Sequence, residues 1–152
     1  MALSPQHEVE VIGPSKSGSI WLPMQDMGIS IRPYPWKRYP FFITTIRKMI
    51  KEIDADILIA CKLRPTSFGI AIIKKWASGV PVILDIDDWE LGFLYHSGFL
   101  SKVGRFLNFS NPNGLPYTWL MERFTGLADS IVVSNRFLQD KFSGPLVYHC
   151  RD

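Results

Sequence analysis

The chain has few of the residues that build disulfide-stapled or membrane-spanning folds. Its 152 residues contain only two cysteines, Cys61 and Cys150, which lie far apart and lack the close spacing of metal-binding motifs. No apolar run approaches the roughly 20 residues that a membrane-spanning helix needs. No secretory leader precedes the first polar residues. We therefore expect a cytoplasmic protein that folds in a reducing compartment without a disulfide or a bound metal.

The chain also lacks a large excess of charge of either sign. Its 17 Lys and Arg residues nearly balance its 14 Asp and Glu residues, which leaves a net charge of +3. Such a weak excess, without a basic stripe, argues against nucleic acid as a partner. Hydrolase chemistry is not expected either, since a Gly-x-Ser-x-Gly elbow is absent and Cys61 has no assignable base. The length fits one domain over residues 1–152.

Apolar strands alternate with helices along the chain. Residues 7–12 alternate with a period of two and stop at Gly13 and Pro14, which predicts a strand and its turn. The same reasoning predicts further strands over 56–60, 130–134 and 146–149, and helices over 42–53, 68–78 and 135–142. This order predicts an α/β fold with a mostly parallel sheet in a Rossmann-like, three-layer α/β/α arrangement.

Residues 79–90, GVPVILDIDDWE, combine a turn, a buried apolar run and four acids. Open α/β folds bind ligands at the carboxyl edge of the sheet, so an apolar strand that ends in carboxylates indicates a site. Asp87, Asp88 and Glu90 are the candidate catalytic residues, whereas Asp85 is interpreted as structural. The competing interpretation is that these acids cap helices and turns.

Two further groups of polar residues follow predicted strands. Lys62, Arg64 and Thr66 come after the strand over 56–60, where cations beside a helix amino terminus would suit a phosphate. Ser134 and Arg136 have a similar position after the strand over 130–134. We take all five as candidate substrate-binding residues, with solvated loop charges and an ordinary helix cap as the alternative.

Two segments are rich in aromatic residues. Residues 32–42, RPYPWKRYPFF, contain three prolines, five aromatic residues and three cations, so we expect an irregular recognition loop. Aromatic faces stack on sugars or lie at membrane interfaces, and adjacent cations suit lipid phosphates. Residues 93–109 could seat on a bilayer in the same way. Internal packing is the alternative for both segments.

Three segments together resemble a known family. HEVEVIGP (7–14), ADILIACKLRPTSFGIAIIKKWASGVPVILDIDDWE (55–90) and ADSIVVSNRFLQDKFSGPLVYHCRD (128–152) are similar to the amino-terminal half of a group 1, family 4-type glycosyltransferase. The resemblance covers nearly all of the chain. It implies one Rossmann-like domain of the two-domain GT-B arrangement, in which this half mainly holds the acceptor and the other half holds the nucleotide-sugar.

The resemblance also implies two missing parts. Family members begin with another strand, which usually lies in the middle of the sheet, and here only MALSPQ precedes HEVEVIGP. The donor-binding domain would follow residue 152. We therefore expect the chain alone to transfer no sugar. The expected acceptor is a glycan or a lipid-linked molecule, and the cytoplasmic face of a membrane is the alternative to a purely cytoplasmic location. A nucleotide-sugar would serve as donor substrate, with no separate cofactor.

By position, Asp87 and Asp88 fall where many relatives have His followed by Asp or Glu. The resemblance implies contact with the donor sugar there, but a carboxylate only accepts hydrogen bonds where an imidazole also donates. Asp88 or Glu90 could instead orient an acceptor hydroxyl.

Two interpretations from other classes remain open. Asp85 and Asp87 form an Asp-x-Asp pair that faces one side of a strand and could bind Mg²⁺ or Mn²⁺ in a metal-dependent enzyme. Alternatively, the chain is a non-catalytic Rossmann-like binding module. Without the middle strand, two inner strands would have unpaired edges, and a partner chain could complete the sheet.

Overall fold

The computed structural model describes residues 6–20, 28–95 and 99–148 of the chain. The strands are β1 (Glu10–Ser15), β2 (Ser30–Pro35), β3 (Leu58–Cys61), β4 (Val82–Ile86) and β5 (Ser130–Val133). The helices are α1 (Phe42–Glu52), α2 (Ile70–Ser78), α3 (Gly92–Tyr95), α4 (Phe99–Phe106), α5 (Leu115–Arg123) and α6 (Arg136–Phe142). The predicted α/β class is confirmed, because strands and helices alternate along the described chain.

The described strands form two parallel sheets rather than one. β1 pairs with β2, and β3, β4 and β5 form a second sheet in that order. Every strand pair is parallel. The described strands β1 and β3 do not pair with each other, and each pairs on one side only, β1 with β2 and β3 with β4. We call this interruption the break. The arrangement is consistent with a small Rossmann-like α/β/α fold.

Shared helices hold the two sheets together on one face. Ile12 of β1 and Leu58 of β3 both pack against one apolar cluster. The buried members of this cluster come from β2, from α1 and the residue after it, and from α2: Tyr34, Phe42, Met49, Ile53 and Ile70. The break therefore interrupts the strand layer but not the core beneath it.

A second core covers the same face of the larger sheet. Val82, Leu84 and Ile86 of β4 are fully buried there, together with Val133 of β5. Ile59, on the opposite face of β3, is 45% exposed. Alternate residues of a strand point to opposite faces, so one face of β3 packs on helices and the other meets solvent.

The ends of α2 follow directly from local residue chemistry. A π-helical turn over Pro65–Gly69 leads into the helix, with Pro65 at a first-turn position where its missing N–H costs nothing. Gly79 ends α2 with a φ of 76°, a left-handed conformation that glycine adopts without strain. The helix predicted over 68–78 is confirmed, with its first two residues in the π-helical turn.

The first strand was predicted too early in the chain. It was expected over 7–12 with a turn at Gly13 and Pro14, but β1 continues through both residues to Ser15. The Trp36 amide donates to the Ser15 carbonyl, which fixes the register with β2. In that register the nitrogen of Pro14 faces away from β2, so proline costs no ladder hydrogen bond at this position.

The aromatic segment over 32–42 is more regular than predicted. Its first residues belong to β2, because Pro33 and Pro35 occupy positions whose nitrogen faces away from β1. Proline on that outer edge also prevents a further strand from pairing there. The residues from Phe42 onward form α1. Only the short stretch between the strand and the helix is a loop.

The last predicted strand is reduced to a single bridge. Leu146 pairs with Val133 in parallel, and the Val147 amide donates to the Val133 carbonyl at 2.9 Å. His149, the predicted end of this strand, lies outside the described residues. None of the helices in the described ranges combines the length and the apolar character that a bilayer crossing requires.

Candidate functional site

The carboxyl ends of β3 and β4 lie side by side, since Cys61 is in register with Asp85. The polar residues that follow both strands therefore converge. Lys62 Nζ lies 3.3 Å from Asp87 Oδ2, 3.5 Å from Asp88 Oδ2 and 3.8 Å from Glu90 Oε1. With Arg64, these residues form what we call the edge cluster.

Glu90 is the buried member of the edge cluster, with 5% of its side chain exposed. Its Oε2 accepts a hydrogen bond from Arg64 Nη2 at 2.5 Å. Its Oε1 is buried and accepts no hydrogen bond from any described residue. A buried carboxylate is costly unless it is paired, and Arg64 and the nearby Lys62 ammonium provide that pairing for Glu90.

Lys62 is held by a strained backbone. Its φ is 85°, a region that residues with a Cβ rarely adopt. Its amide donates to the Asp85 carbonyl, which fixes the end of β3 against β4. Burial lowers the pKa of the Lys62 ammonium, but the carboxylates of Asp87, Glu90 and Asp88 together raise it above its ordinary value. Lys62 is therefore a permanent cation among three acids.

The other predicted binding residues are distributed less closely. Ser134 Oγ donates to the Asp87 carbonyl at 2.8 Å, so it supports the backbone of the edge cluster. Thr66 Oγ1 donates to Asn113 Oδ1 at 2.8 Å. Arg136 is exposed on α6 and forms no ion pair within the described part of the chain. The cap of α6 is Asn135, whose Oδ1 accepts from the Leu138 amide.

Of the two residues of the Asp-x-Asp pair, Asp87 belongs to the edge cluster. Asp87 is ion-paired with Lys62, and Asp85 lies within β4. No group of three or more His, Cys, Asp or Glu residues that could hold a metal occurs among the described residues. Burial, followed by the carboxylates of Asp85 and Asp87, raises the pKa of the Cys61 thiol, which disfavours the nucleophilic thiolate.

A second polar region lies beside the edge cluster and extends across the break. It is a cavity of about 370 Å³, and we call it the asparagine pocket. Its walls come from the residues after β1, β2 and β3 and from the loop before α5: Lys16, Trp36, Arg38, Arg64, Asn108, Asn111 and Asn113. The carboxyl ends of both sheets therefore point toward one cavity. That is where parallel α/β folds place ligands.

The loop that carries the three asparagines is held from several sides. Its Ser110 carbonyl accepts from the Tyr39 amide at 2.8 Å, and its Phe109 carbonyl accepts from the Tyr117 hydroxyl at 2.7 Å. Gly114 closes the loop where space is lacking, since a Cβ there would lie 2.9 Å from the Asn108 carbonyl oxygen. This wall of the pocket is therefore fixed before any ligand arrives.

Internal hydrogen bonds determine which group each asparagine presents. Asn108 Oδ1 accepts from the Ser110 hydroxyl, and Asn111 Oδ1 accepts from the Asn113 amide. Asn113 Oδ1 accepts from the Thr66 hydroxyl. With each oxygen engaged by the protein, the three NH₂ groups remain as hydrogen-bond donors. The pocket wall is consequently rich in donors.

Sequence reasoning found the edge cluster but only part of this pocket. The segment over 32–42, predicted as a recognition loop, supplies Trp36 and Arg38, and Arg64 was a candidate anion ligand. Lys16 and the three asparagines were missed. The signal was present in NFSNPNG (108–114), where three asparagines in six residues follow an apolar helix.

Comparison of the chain with protein-family models, with curated proteins and with solved structures finds no match. Because one fold hosts many functions, function must be argued from the chemistry of the site. The edge cluster and the asparagine pocket are the two regions whose chemistry is available for that argument.

Proposed function

We propose that the chain is the acceptor-binding half of a family 4-type, GT-B glycosyltransferase. The observation that carries the proposal is the convergence of polar side chains at the carboxyl ends of β3 and β4, where Lys62 Nζ lies within 4 Å of carboxylate oxygens of Asp87, Asp88 and Glu90. All described strand pairs are parallel, with helices packed beneath them, as the resemblance implies for one half of the GT-B arrangement. Parallel α/β folds bind their ligands at this edge of the sheet.

The edge cluster supplies the groups that would handle the acceptor. Asp88 is the most accessible of its three acids, with 48% of its side chain exposed. It is therefore the best-placed acceptor of a hydrogen bond from the attacking sugar hydroxyl. Asp87 is tied to Lys62, and Glu90 positions Arg64. The nucleotide-sugar would bind mainly to a second domain, with no separate cofactor.

The surface beside the pocket favours a lipid-linked acceptor. The end of α4 and the residues after it expose Phe106, Leu107 and Phe109, which are 49%, 63% and 52% exposed. Apolar side chains next to a cationic pocket suit a lipid whose head group enters the pocket. Flotation with anionic vesicles tests this point, and protein that stays in the bottom fraction would argue against a membrane acceptor on the cytoplasmic face.

Thermal unfolding with a ligand panel tests the proposal, because a ligand that binds the folded state raises the midpoint. The panel contains nucleotide-sugars, neutral sugars, sugar phosphates and Mg²⁺ or Mn²⁺. We expect sugars or their phosphates to raise the midpoint, metals to leave it unchanged, and the chain alone to transfer no sugar. With neutral sugars, Asp88→Asn should remove the shift. Stabilisation by metals alone would instead favour a metal-dependent enzyme in which Asp85 and Asp87 are the metal ligands.

A non-catalytic binding module is the second candidate, and the strand edges at the break favour it. The Leu58 and Lys62 amides donate toward β4, so the amides of Ile59 and Cys61 point away from it, toward the break. A partner chain could pair there. This candidate predicts rapid amide exchange at Ile59 and Cys61 while light scattering shows a monomer, and protection of both amides once a partner chain has paired there. A protected monomer would contradict it.

A further inference from the structure

We propose that the asparagine pocket binds a phosphate ester of a sugar or polyol. The identification of this ligand as the acceptor rests on the proposed glycosyltransferase function, whereas phosphate binding itself follows from the pocket. The described residues of its walls provide cations and amide donors and no carboxylate, and its position spans the carboxyl ends of both sheets.

The charge of the pocket is only partly neutralised by the protein. Lys16, Arg38 and Arg64 line it, and of these only Arg64 is ion-paired within the described residues, with Glu90. Lys16 Nζ instead lies 5.3 Å from the centroid of the Trp36 ring, which holds the ammonium at the pocket wall. Lys16 and Arg38 thus line one cavity without a counterion among the described residues, and their positive potential favours binding of an anion from outside.

The hydrogen-bonding pattern favours phosphate as the anion. Asn108, Asn111 and Asn113 engage their oxygens internally, so their NH₂ groups remain as donors in a pocket that Arg38 also lines. A phosphate has several acceptor oxygens on one centre, and arginine pairs with it through two parallel hydrogen bonds. A donor-only wall satisfies those oxygens without leaving an acceptor of the protein facing the negative charge.

The volume indicates that the ligand is larger than the phosphate group. A cavity of about 370 Å³ falls within the range of small-molecule sites, roughly 300 to 1,000 Å³. Arg64 connects this cavity to the edge cluster, since it lines the pocket and also binds Glu90. A phosphate held among the asparagines would thus leave the hydroxyls of its sugar directed toward Asp88 and its neighbours.

Calorimetric titration of the chain with glucose 6-phosphate, inorganic phosphate and glucose tests the proposal. We expect glucose 6-phosphate to bind most tightly, inorganic phosphate more weakly and glucose most weakly. Asn108→Asp keeps the oxygen that accepts from Ser110 but replaces a donor with a negative charge. It should weaken glucose 6-phosphate binding at least about tenfold, since hydrogen bonds to charged groups are strong.

The matched control is Asn135→Asp, which makes the same chemical change on α6, where either residue caps the helix. It should leave phosphate binding unchanged. A second pair is Arg38→Ala, expected to weaken binding at least about tenfold, and Arg47→Ala, an exposed arginine of α1 outside the pocket lining, expected to have no effect. Circular dichroism confirms that each variant is folded.

Vesicles distinguish the two sources of the phosphate. Co-sedimentation with phosphatidylinositol 4-phosphate vesicles that is lost in Asn108→Asp would identify a lipid head group, and binding of the soluble ester alone would identify a free sugar phosphate. Equal affinity of Asn108→Asp and the unmodified chain, or no binding of any phosphate by folded protein, would overturn the pocket proposal. Neutral sugars that still stabilise the chain through Asp88 would in that case leave the glycosyltransferase proposal standing.

Discussion

The edge cluster and the asparagine pocket are neighbours that share Arg64, yet they treat charge in opposite ways. In the edge cluster, two cations face three carboxylates, and each charge has a partner within 4 Å. In the pocket, the cations lie among asparagine amides and an indole ring, and none of the described residues that line the cavity is an acid. The charges of the edge cluster are paired within the protein, whereas those of the pocket would be paired by a bound ligand.

This difference separates residues that build the site from residues that bind. Glu90 is buried and ion-paired with Arg64, so the Glu90 side chain contributes to folding before any substrate is present. Asn108 and Arg38 are exposed and gain strong partners only when an anion arrives. Changes at Glu90 should therefore alter stability first, and changes in the pocket should alter affinity first.

The largest expected effect is on stability, from Glu90→Gln. This change keeps the shape of the side chain but removes the charge that Arg64 and Lys62 face, and it should lower the free energy of unfolding by about 2 kcal/mol. Urea denaturation measures it. Asp140→Asn, at an exposed position on α6, is the control and should change stability by less than about 0.5 kcal/mol. Equal values for both variants would contradict a structural role for Glu90.

The same Glu90→Gln variant should bind phosphate more tightly than the unmodified chain. Without the carboxylate, Arg64 and Lys62 add uncompensated positive charge beside the pocket. We expect affinity for glucose 6-phosphate to rise about fivefold, equivalent to ~1 kcal/mol. Calorimetric titration at fixed salt measures the change. Lower stability combined with higher affinity would show that the two regions have different roles, whereas a loss of both stability and affinity would show that they form one site.

A smaller effect is expected from two substitutions at Lys62, whose φ of 85° strains the backbone. Lys62→Gly and Lys62→Met both remove the ammonium, but only glycine relieves the strain. The glycine variant should be more stable than the methionine variant by about 1 kcal/mol. Urea denaturation of both proteins measures the difference. A methionine variant of equal or greater stability would contradict backbone strain at position 62.

The smallest effect concerns Asp129, a paired acid outside both regions. Lys75 at 2.7 Å and the Val82 amide at 2.8 Å lower the pKa of the Asp129 carboxyl. Its stabilisation is therefore complete above the unfolded-state pKa of about 4 and disappears as the pH falls through the lower folded pKa. Asp129→Asn should be less stable than the unmodified chain at pH 7, with the difference shrinking below pH 4 in urea melts. A difference independent of pH would contradict this pairing.

Local residue chemistry predicted those parts of the fold that depend on one segment at a time. Pro65 and Gly79 mark both ends of α2, and the strand that ends in acids was predicted with its site at the carboxyl edge. The segment over 32–42 was misjudged because the cost of proline in a strand depends on which edge its nitrogen faces. That depends on the pairing register with β1, which a single segment does not contain.

The edge cluster was predictable because its residues follow two strands that pair in parallel. The asparagine pocket was only partly predictable, since its walls come from four separate places in the chain. The donor character of Asn113 depends on Thr66, 47 positions earlier. Only the folded chain shows that the oxygen is engaged and the NH₂ group is presented.

The most direct test of the account follows the side-chain NH₂ resonances of Asn108, Asn111 and Asn113 by ¹⁵N–¹H NMR during titration with glucose 6-phosphate. We predict that these three resonances shift together and saturate, while the NH₂ resonance of Asn135, the cap of α6, stays in place. Saturable shifts confined to the backbone amides around Asp88, with the three asparagine resonances unmoved, would contradict it and assign ligand binding to the edge cluster alone.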